Sequence, residues 1–221
     1  MEALWNLISD QLERKYHNPR HGNPEDPVEC LFYVMLTRKT PIRKAQHVFE
    51  RILELVPWPD MLLDMDETQL YNLLYSCGLQ HMRVKNIGDV AEFLFHQFGR
   101  ITLDPLREKS NEDCLSFLTS LPGVGTKTAL CVMMYALDRK VFPADTHCIR
   151  VLKRLGTIPW RLDHRQAQRE LSKQVPPDLA FKLHVNLIAH GQQICRPQKQ
   201  ECIQCTINSY CANNRRIPEP P

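Results

Sequence analysis

The sequence has no apolar run that approaches the roughly 18 residues needed to span a membrane as a helix. Residues 1–17 are acidic at first and amphipathic, so they lack the basic start and apolar block of a secretory signal peptide. Low-complexity tracts and internal repeats of solenoid length are missing as well. We therefore expect a protein that is neither secreted, nor embedded in a membrane, nor built from repeats.

A strong charge of one sign is also missing. The 221 residues contain 28 Lys and Arg against 25 Asp and Glu, which gives a formal net charge of +3. This excess is too small to indicate a nucleic-acid partner by itself, although a local basic surface is compatible with it. Hydrophobic residues make up 43% of the chain and charged residues 24%, which is typical of a globular protein with one large domain or two small ones.

Alternation of polar and apolar residues is nowhere long enough to indicate a strand, whereas apolar residues at helical spacing recur along most of the chain. The pattern therefore predicts an all-α fold. Asn111 is the expected N-cap of one short helix. The predicted helices span 27–37, 42–55, 67–74, 81–98, 111–118, 126–137, 146–154, 164–174 and 178–190.

Cysteine, by contrast, is abundant, with nine residues. Four of them form C-x6-C-x2-C-x5-C at Cys195, Cys202, Cys205 and Cys211. Structural zinc sites usually combine two C-x-x-C pairs, and only one such pair is present here. The wide, uneven spacing favours an iron–sulfur cluster and leaves zinc or unligated thiols as alternatives. Small buried hydrophobic side chains are expected at Cys30, Cys77, Cys114, Cys131 and Cys148.

Two glycines separate two predicted helices, at Gly123-Val124-Gly125, and the second helix begins near Thr126. Glycines permit a tight turn and leave backbone N–H groups uncovered. At a helix N-terminus these groups favour binding of an anion, such as a DNA phosphate. The spacing is not that of an ATP-binding loop, and no strand precedes it as in a dinucleotide-binding turn. A plain turn between two helices is the alternative.

Lys127 lies on the first turn of that second helix, where the helix dipole disfavours a cation. The positive helix end and partial burial would lower the pKa of the amine and make it nucleophilic. Asp145 precedes a further predicted helix, so a simple N-cap is one interpretation, and a capping carboxylate is also held rigidly. A lysine with a nearby carboxylate is suited to attack a sugar C1′ and then to move protons.

The hairpin, the lysine, the aspartate and the cysteine loop, in this order, resemble the helix-hairpin-helix (HhH-GPD) DNA glycosylase superfamily, and within it the endonuclease III-like branch. The matching segments are LPGVGTKTA at 121–129, ADTH at 144–147 and HVNLIAHGQQIC at 184–195. Weaker matches are DPVECLFYVMLT at 26–37 and SCGLQHMRVKNI at 76–87.

The resemblance implies a two-lobed helical fold. A six-helix barrel domain would span 25–138 and contain the helix-hairpin-helix at about 115–137. Both chain termini, 1–24 and 139–221, would form a helical cluster domain, with the cluster loop at 195–211.

The resemblance also implies roles for individual residues. Lys127 falls on the family's Schiff-base lysine and Asp145 on its catalytic aspartate. The four cysteines of the loop fall on the ligands of a [4Fe-4S] cluster. His147 and His190 are expected to pack or to form hydrogen bonds, and a role as ligands is the alternative. Ordinary packing is the alternative for Leu79. The expected DNA contacts are Gly123, Val124, Gly125, Thr126, Arg38, Lys39, Leu79, His147, Arg196 and Lys199.

The implied activity is base excision repair by a bifunctional enzyme. It would remove damaged pyrimidines, oxidised ones above all, from duplex DNA and then cleave the strand as an AP (β-elimination) lyase through a lysine Schiff base. Its partner would be double-stranded DNA that contains a damaged base or an abasic site. We expect a monomer and, if the source is a prokaryote, a cytoplasmic protein associated with the nucleoid.

One departure from the family pattern concerns the turn Thr37-Arg38-Lys39-Thr40. Relatives carry a glutamine here that fills the gap left by the flipped base, and by register Lys39 takes its place. The departure leaves the opposite-base contact and the substrate open. The alternatives are a glycosylase for uracil or thymine opposite guanine or for a modified cytosine, and a non-catalytic, cluster-containing DNA-binding module.

Overall fold

The computed structural model describes residues 2–37, 40–56, 59–75 and 81–213. Within these ranges it contains α-helices, short 3-10 helices and no β-strand, so the predicted all-α fold is confirmed. None of the described helices is long and apolar enough to cross a membrane. The α-helices are α1 (Glu2–Tyr16), α2 (Pro27–Thr37), α3 (Ile42–Leu55), α4 (Glu67–Tyr75), α5 (His81–Phe98), α6 (Asn111–Ser120), α7 (Thr126–Tyr135), α8 (Thr146–Leu155), α9 (His164–Gln174) and α10 (Ala180–Gln193).

The predicted helix ends agree with the structure at both ends of α2, α3, α5 and α9. The prediction of Asn111 as an N-cap is wrong, because Ser110 caps α6 one residue earlier. Its Oγ accepts the backbone N–H of Asp113 at 3.1 Å and donates to the Asp113 carboxylate at 2.7 Å. Ser and Asn cap helices equally well, and the hydrogen bond between the Ser110 hydroxyl and the Asp113 carboxylate favours the serine as the cap.

The N-terminal segment supplies a helix that the predicted set does not contain. Its apolar residues Trp5, Ile8 and Leu12 follow helical spacing, and all three are buried in one hydrophobic core. Because that core is built by residues more than a hundred positions away in the sequence, local spacing alone does not show the helix to be stable.

The chain divides into two compact units. One comprises the described residues of His21–Arg139 and contains α2 to α7. There α2, which is buried from Pro27 through Leu36 except at Glu29, packs against α7, α3 and α5. A helix that is apolar on nearly all sides is stable only at the centre of a core, and this one forms the centre of its unit.

The other unit comprises the described residues of Met1–Arg20 and Lys140–Pro221. Here α10 packs against both α1 and α8. An ion pair of 2.8 Å links Lys182 of α10 to Glu13 of α1, and a hydrogen bond of 2.7 Å links Asn186 of α10 to Asn18, which follows α1. The N-terminal helix is therefore an integral part of the unit that carries the cysteine loop.

Candidate functional site

The predicted glycine hairpin connects α6 to α7. Gly123 has a φ of +73°, and a Cβ at this position would lie 2.4 Å from the Nδ2 of Asn86. The positive φ favours glycine here, and any Cβ would displace the Asn86 side chain. Gly125 differs, because its φ is −97° and a Cβ would meet no atom within 4 Å.

Gly125 is the N-cap of α7 and supplies no side-chain cap. Gly125 and Thr126 are exposed, and Val124 is buried and anchors the turn. The first N–H groups of an α-helix have no partner within the helix, so this end can bind an anion such as a phosphate.

Lys127 lies on the first turn of α7 and is exposed, so the expected partial burial is wrong. The physical reason is its place in the helix, because every residue from Thr128 to Tyr135 is buried and only the first turn reaches the surface. The backbone of Lys127 is thus fixed by a buried helix, while the residue itself is exposed.

Asp145 is the N-cap of α8, which confirms the capping interpretation. Its Oδ1 accepts the backbone N–H of His147 at 2.7 Å. The segment before it is held by Gln168, whose amide donates to Phe142 O at 2.8 Å and accepts from Ala144 N–H at 2.7 Å. The sequence alone does not indicate this role of Gln168, since a polar residue inside an amphipathic helix gives no local signal of burial.

Two arginines of α8 bind the start of the cysteine loop. Arg150 donates to Cys195 O at 3.1 Å through Nε. Arg154 donates through Nη1 to Cys195 Sγ at 3.2 Å and to Arg196 O at 2.7 Å. Neither arginine is among the residues predicted from the sequence, although their spacing of four places them on one helix face. The helix that begins at Asp145 therefore also holds the first cysteine of the loop.

The loop cysteines are free thiols, each partly buried. Burial raises the pKa of the Cys205 thiol to about 11. A hydrogen bond from the Ile207 backbone lowers this pKa, and the charges of Cys195, Cys211 and Cys202 raise it further. Among the described residues, no group of three or more His, Cys, Asp or Glu side chains is arranged to hold a metal ion.

The donor set itself fits a thiolate-bound metal centre. Cys195, Cys202, Cys205 and Cys211 supply four thiols from one loop, and Cys195 Sγ accepts a hydrogen bond from the Arg154 guanidinium. Nitrogen donors beside cysteine sulfurs are typical of iron–sulfur sites, and four thiolates also suit zinc. The residues present therefore fit either group.

His190 lies beside this loop and is 1% exposed. Its Nδ1 is 2.9 Å from the Tyr16 hydroxyl, and its Nε2 is 3.5 Å from Cys205 Sγ. Burial, and to a smaller extent the charge of Lys15, lowers the pKa of His190 to about 4. The interpretation of His190 as a hydrogen-bonding histidine is confirmed.

The expected DNA contacts are placed as follows. Arg196 and Lys199 are exposed, and each lies 3.4 Å from a carboxylate oxygen of Glu201, so an acidic side chain offsets their charge. His147 Nδ1 is 3.1 Å from Arg150 Nη2. Outside the described residues lie Arg38, Lys39 and Leu79.

The predicted burial is confirmed for Cys30, Cys114, Cys131 and Cys148. Cys77, the fifth cysteine of this set, lies outside the described residues.

The family profile of HhH-GPD superfamily base excision DNA repair proteins matches residues 32–177. The chain belongs to this superfamily. The match includes the hairpin, Lys127 and Asp145 and ends before the cysteine loop. The HhH-GPD membership expected from the sequence motifs is therefore confirmed, and the family match carries no information about a cluster.

Individual relatives agree with this assignment. The endonuclease III of Thermotoga maritima is 27% identical over 90% of this chain and 88% of its own. A solved structure of a trapped endonuclease III–DNA covalent intermediate has a TM-score of 0.82 at 24% identity, covering 94% of this HhH-GPD chain and 93% of that one. A thermostable thymine-DNA glycosylase has a TM-score of 0.83 at 18% identity, covering 98% and 99%. At these identities the structures show a shared fold.

Proposed function

We propose that this HhH-GPD protein is a bifunctional DNA glycosylase and AP lyase that acts as a monomer on duplex DNA. It removes damaged pyrimidines, oxidised ones above all. The observation that carries the proposal is the position of Lys127, an exposed residue on the first helical turn after the glycine hairpin, in a member of a base excision repair family. A glycosylase that only activates water has no need of an amine at this point.

The hairpin binds the DNA backbone. The uncapped N–H groups at the start of α7 bind a phosphate near the lesion, a contact that is independent of base sequence. A damaged base inside a duplex is out of reach of side chains, so the nucleotide is flipped out of the stack before reaction. The hairpin contact holds the backbone while this happens.

The chemistry then proceeds in two stages. The Lys127 amine attacks C1′, the bond from C1′ to the base breaks, and its electron pair leaves with the base. The amine loses a proton, the sugar ring opens, and an imine joins Lys127 to C1′. Loss of a C2′ proton then expels the 3′ phosphate by β-elimination, and water releases Lys127 from the imine.

We assign Asp145 the accompanying electrostatic and proton-transfer role. Its carboxylate stabilises the positive charge that develops at the sugar and accepts a proton from the attacking amine. The cap bond to His147 supports this role, because it fixes the carboxylate against a helix end before substrate binds.

We further propose that Cys195, Cys202, Cys205 and Cys211 hold a [4Fe-4S] cluster. The placement of the four cysteines in one loop and the hydrogen bond that Arg154 donates to Cys195 Sγ support it. When bound, this group orders the loop 195–211 and supplies no atom to base release or strand cleavage. Iron and sulfide analysis with absorbance near 400 nm tests it, and zinc in place of iron contradicts it.

The test of the activity separates base release from strand cleavage. Both are followed on duplexes that carry thymine glycol, dihydrouracil, an abasic site or no lesion. We expect release of the oxidised pyrimidines with cleavage in the same reaction. Duplex binding without either product on any substrate would overturn the proposal in favour of a binding module.

A second candidate substrate class is favoured by the residue at position 39. Lysine stands where relatives carry glutamine, so the contact with the opposite base differs. The same assay therefore includes uracil and thymine opposite guanine, and 5-methylcytosine. Faster release of any of these than of thymine glycol would assign the protein to mismatched or modified pyrimidines.

A further inference from the structure

The side chain of His190 lies between the N-terminal helix and the cysteine loop. It projects from α10, is 1% exposed, and contacts a residue of each segment. The Tyr16 hydroxyl is 2.9 Å from Nδ1, and Cys205 Sγ is 3.5 Å from Nε2. The two rings of Tyr16 and His190 meet edge to face, with centroids 5.9 Å apart. Both ring nitrogens of the histidine are thus engaged.

The last turn of α1 reaches the loop at a second point. Lys15 Nζ donates to Gln204 O at 3.0 Å, one residue before Cys205. The helix is itself fixed by its buried residues Trp5, Ile8 and Leu12 and by the ion pair between Glu13 and Lys182. The helix that carries the Tyr16 hydroxyl is therefore held both by the core of its unit and by the loop.

A hydrogen-bond donor at Nδ1 places the imidazole proton on the nitrogen that faces the loop, and the Tyr16 hydroxyl lies where it can be that donor. A hydroxyl that donates to Nδ1 leaves the imidazole proton on Nε2. A cysteine thiolate is only an acceptor, so the contact at Nε2 is then an N–H···S hydrogen bond. Side chains that bind metal ligands in this way orient the ligand and tune the metal, and hydrogen bonds to the sulfurs are among the factors that set iron–sulfur potentials.

We propose that His190, oriented by Tyr16, is a positioning residue for the metal centre, and that its Nε2–H donates to Cys205 Sγ and stabilises the reduced form of the cluster. The inference rests on the cluster in the proposed function. According to this inference, the metal centre depends on one residue besides the four cysteines. This residue is a buried hydrogen-bond donor on α10, and Tyr16 of the N-terminal helix positions its proton. Withdrawal of electron density from the ligand sulfur raises the reduction potential.

The test uses the full chain as purified with its metal. Midpoint potential and the rate of iron loss in ferricyanide are measured for wild type, His190→Phe, His190→Gln and Tyr16→Phe. His190→Phe should shift the potential downwards and lose iron faster. His190→Gln retains an N–H and should return the potential towards wild type, and Tyr16→Phe should give a smaller downward shift than His190→Phe.

The matched control is His184→Phe. His184 lies on the same helix and is also 1% exposed, but its Nδ1 is bonded to Pro143 O at 2.8 Å instead of contacting a loop cysteine. The control should leave the potential unchanged even if it lowers stability. Equal shifts in His184→Phe and His190→Phe, or no shift in His190→Phe, would overturn the inference.

Two further outcomes are decisive. If His190→Phe does not fold, Tyr16→Phe takes its place, and an unchanged potential in that variant overturns the inference. If wild type contains no iron, both the proposed cluster and this inference fail. A cluster in wild type with no response to the variants would overturn the role of His190 alone.

Discussion

Asp145 caps the helix that it precedes, with its Oδ1 accepting the backbone N–H of His147 at 2.7 Å. The carboxylate that we propose to act in catalysis therefore has a structural role as well, and the two roles respond differently to substitution. Capping needs a short side chain with an oxygen acceptor, whereas charge stabilisation at the sugar needs the negative charge.

Asp145→Asn and Asp145→Ala should separate these roles. Asparagine caps about as well as aspartate, so Asp145→Asn should keep the free energy of unfolding near wild type, while Asp145→Ala should lose about 1 kcal/mol. Both should reduce single-turnover base release by roughly 100-fold or more, the range expected for a positioned acid–base group. Urea unfolding and single-turnover kinetics give the two quantities, and wild-type kinetics in Asp145→Asn would refute the catalytic role.

The two hairpin glycines should respond differently to alanine. Gly123→Ala places a side chain at φ +73° and 2.4 Å from Asn86 Nδ2, so it should destabilise the protein by at least about 1 kcal/mol and weaken duplex binding. Gly125→Ala is the control, because its φ of −97° and open surroundings accept a Cβ. Denaturant unfolding and fluorescence anisotropy measure both effects. Equal stability of the two variants would contradict the account of the turn.

Removal of the Glu201 carboxylate should strengthen DNA binding. Arg196 and Lys199 each lie 3.4 Å from this side chain, which competes with a phosphate for their charge. In Glu201→Gln both cations are released, so affinity should rise and its dependence on salt should steepen. Glu108→Gln, an exposed change in the other unit, is the control. If Glu201→Gln binds like wild type across a salt series, the loop cations do not contact DNA.

The attachment of the N-terminal helix should depend on pH. Hydrogen bonds from Lys182 and Asn18 hold the pKa of Glu13 below its usual value. A carboxylate whose pKa is lowered in the folded state stabilises the fold above its unfolded pKa, and this contribution is lost as the pH falls through the folded pKa. The pair is partly exposed, so the effect is about 0.2–1 kcal/mol.

Glu13→Gln removes this contribution, so the difference in the free energy of unfolding between wild type and the variant measures it. Stability is followed by denaturant unfolding from about pH 7 down to about pH 3, which spans the titration of carboxylates. The free energy of unfolding of wild type should exceed that of the variant near pH 7, and the difference should disappear towards the acid end of the series. A constant difference between the two proteins would show that the ion pair contributes nothing that depends on protonation.

The features that the sequence predicts are local ones. Helical spacing of apolar residues predicts α2, α3, α5 and α9 with both ends correct, since each buried stripe is contained within the segment. The cap by Asp145 is equally local. The turn at Gly123 follows from the conformational freedom of glycine, and the positive φ is observed there.

What the sequence does not reveal depends on residues that the fold brings together. Arg154 and Cys195 are 41 positions apart, and Tyr16 and His190 are 174 apart. A single sequence contains no signal that relates such pairs. The burial of Gln168 likewise becomes apparent only from its bonds to Phe142 and Ala144.

The most direct test of the central claim is borohydride trapping on a duplex with an abasic site and on one with thymine glycol. The claim is that Lys127 forms an imine with the sugar. Wild type and Lys173→Ala, a control for loss of an exposed lysine, should each give a covalent protein–DNA product. Lys127→Ala should give none and should bind the duplex as tightly as wild type. A covalent product of undiminished yield with Lys127→Ala, or none with wild type, would contradict the account.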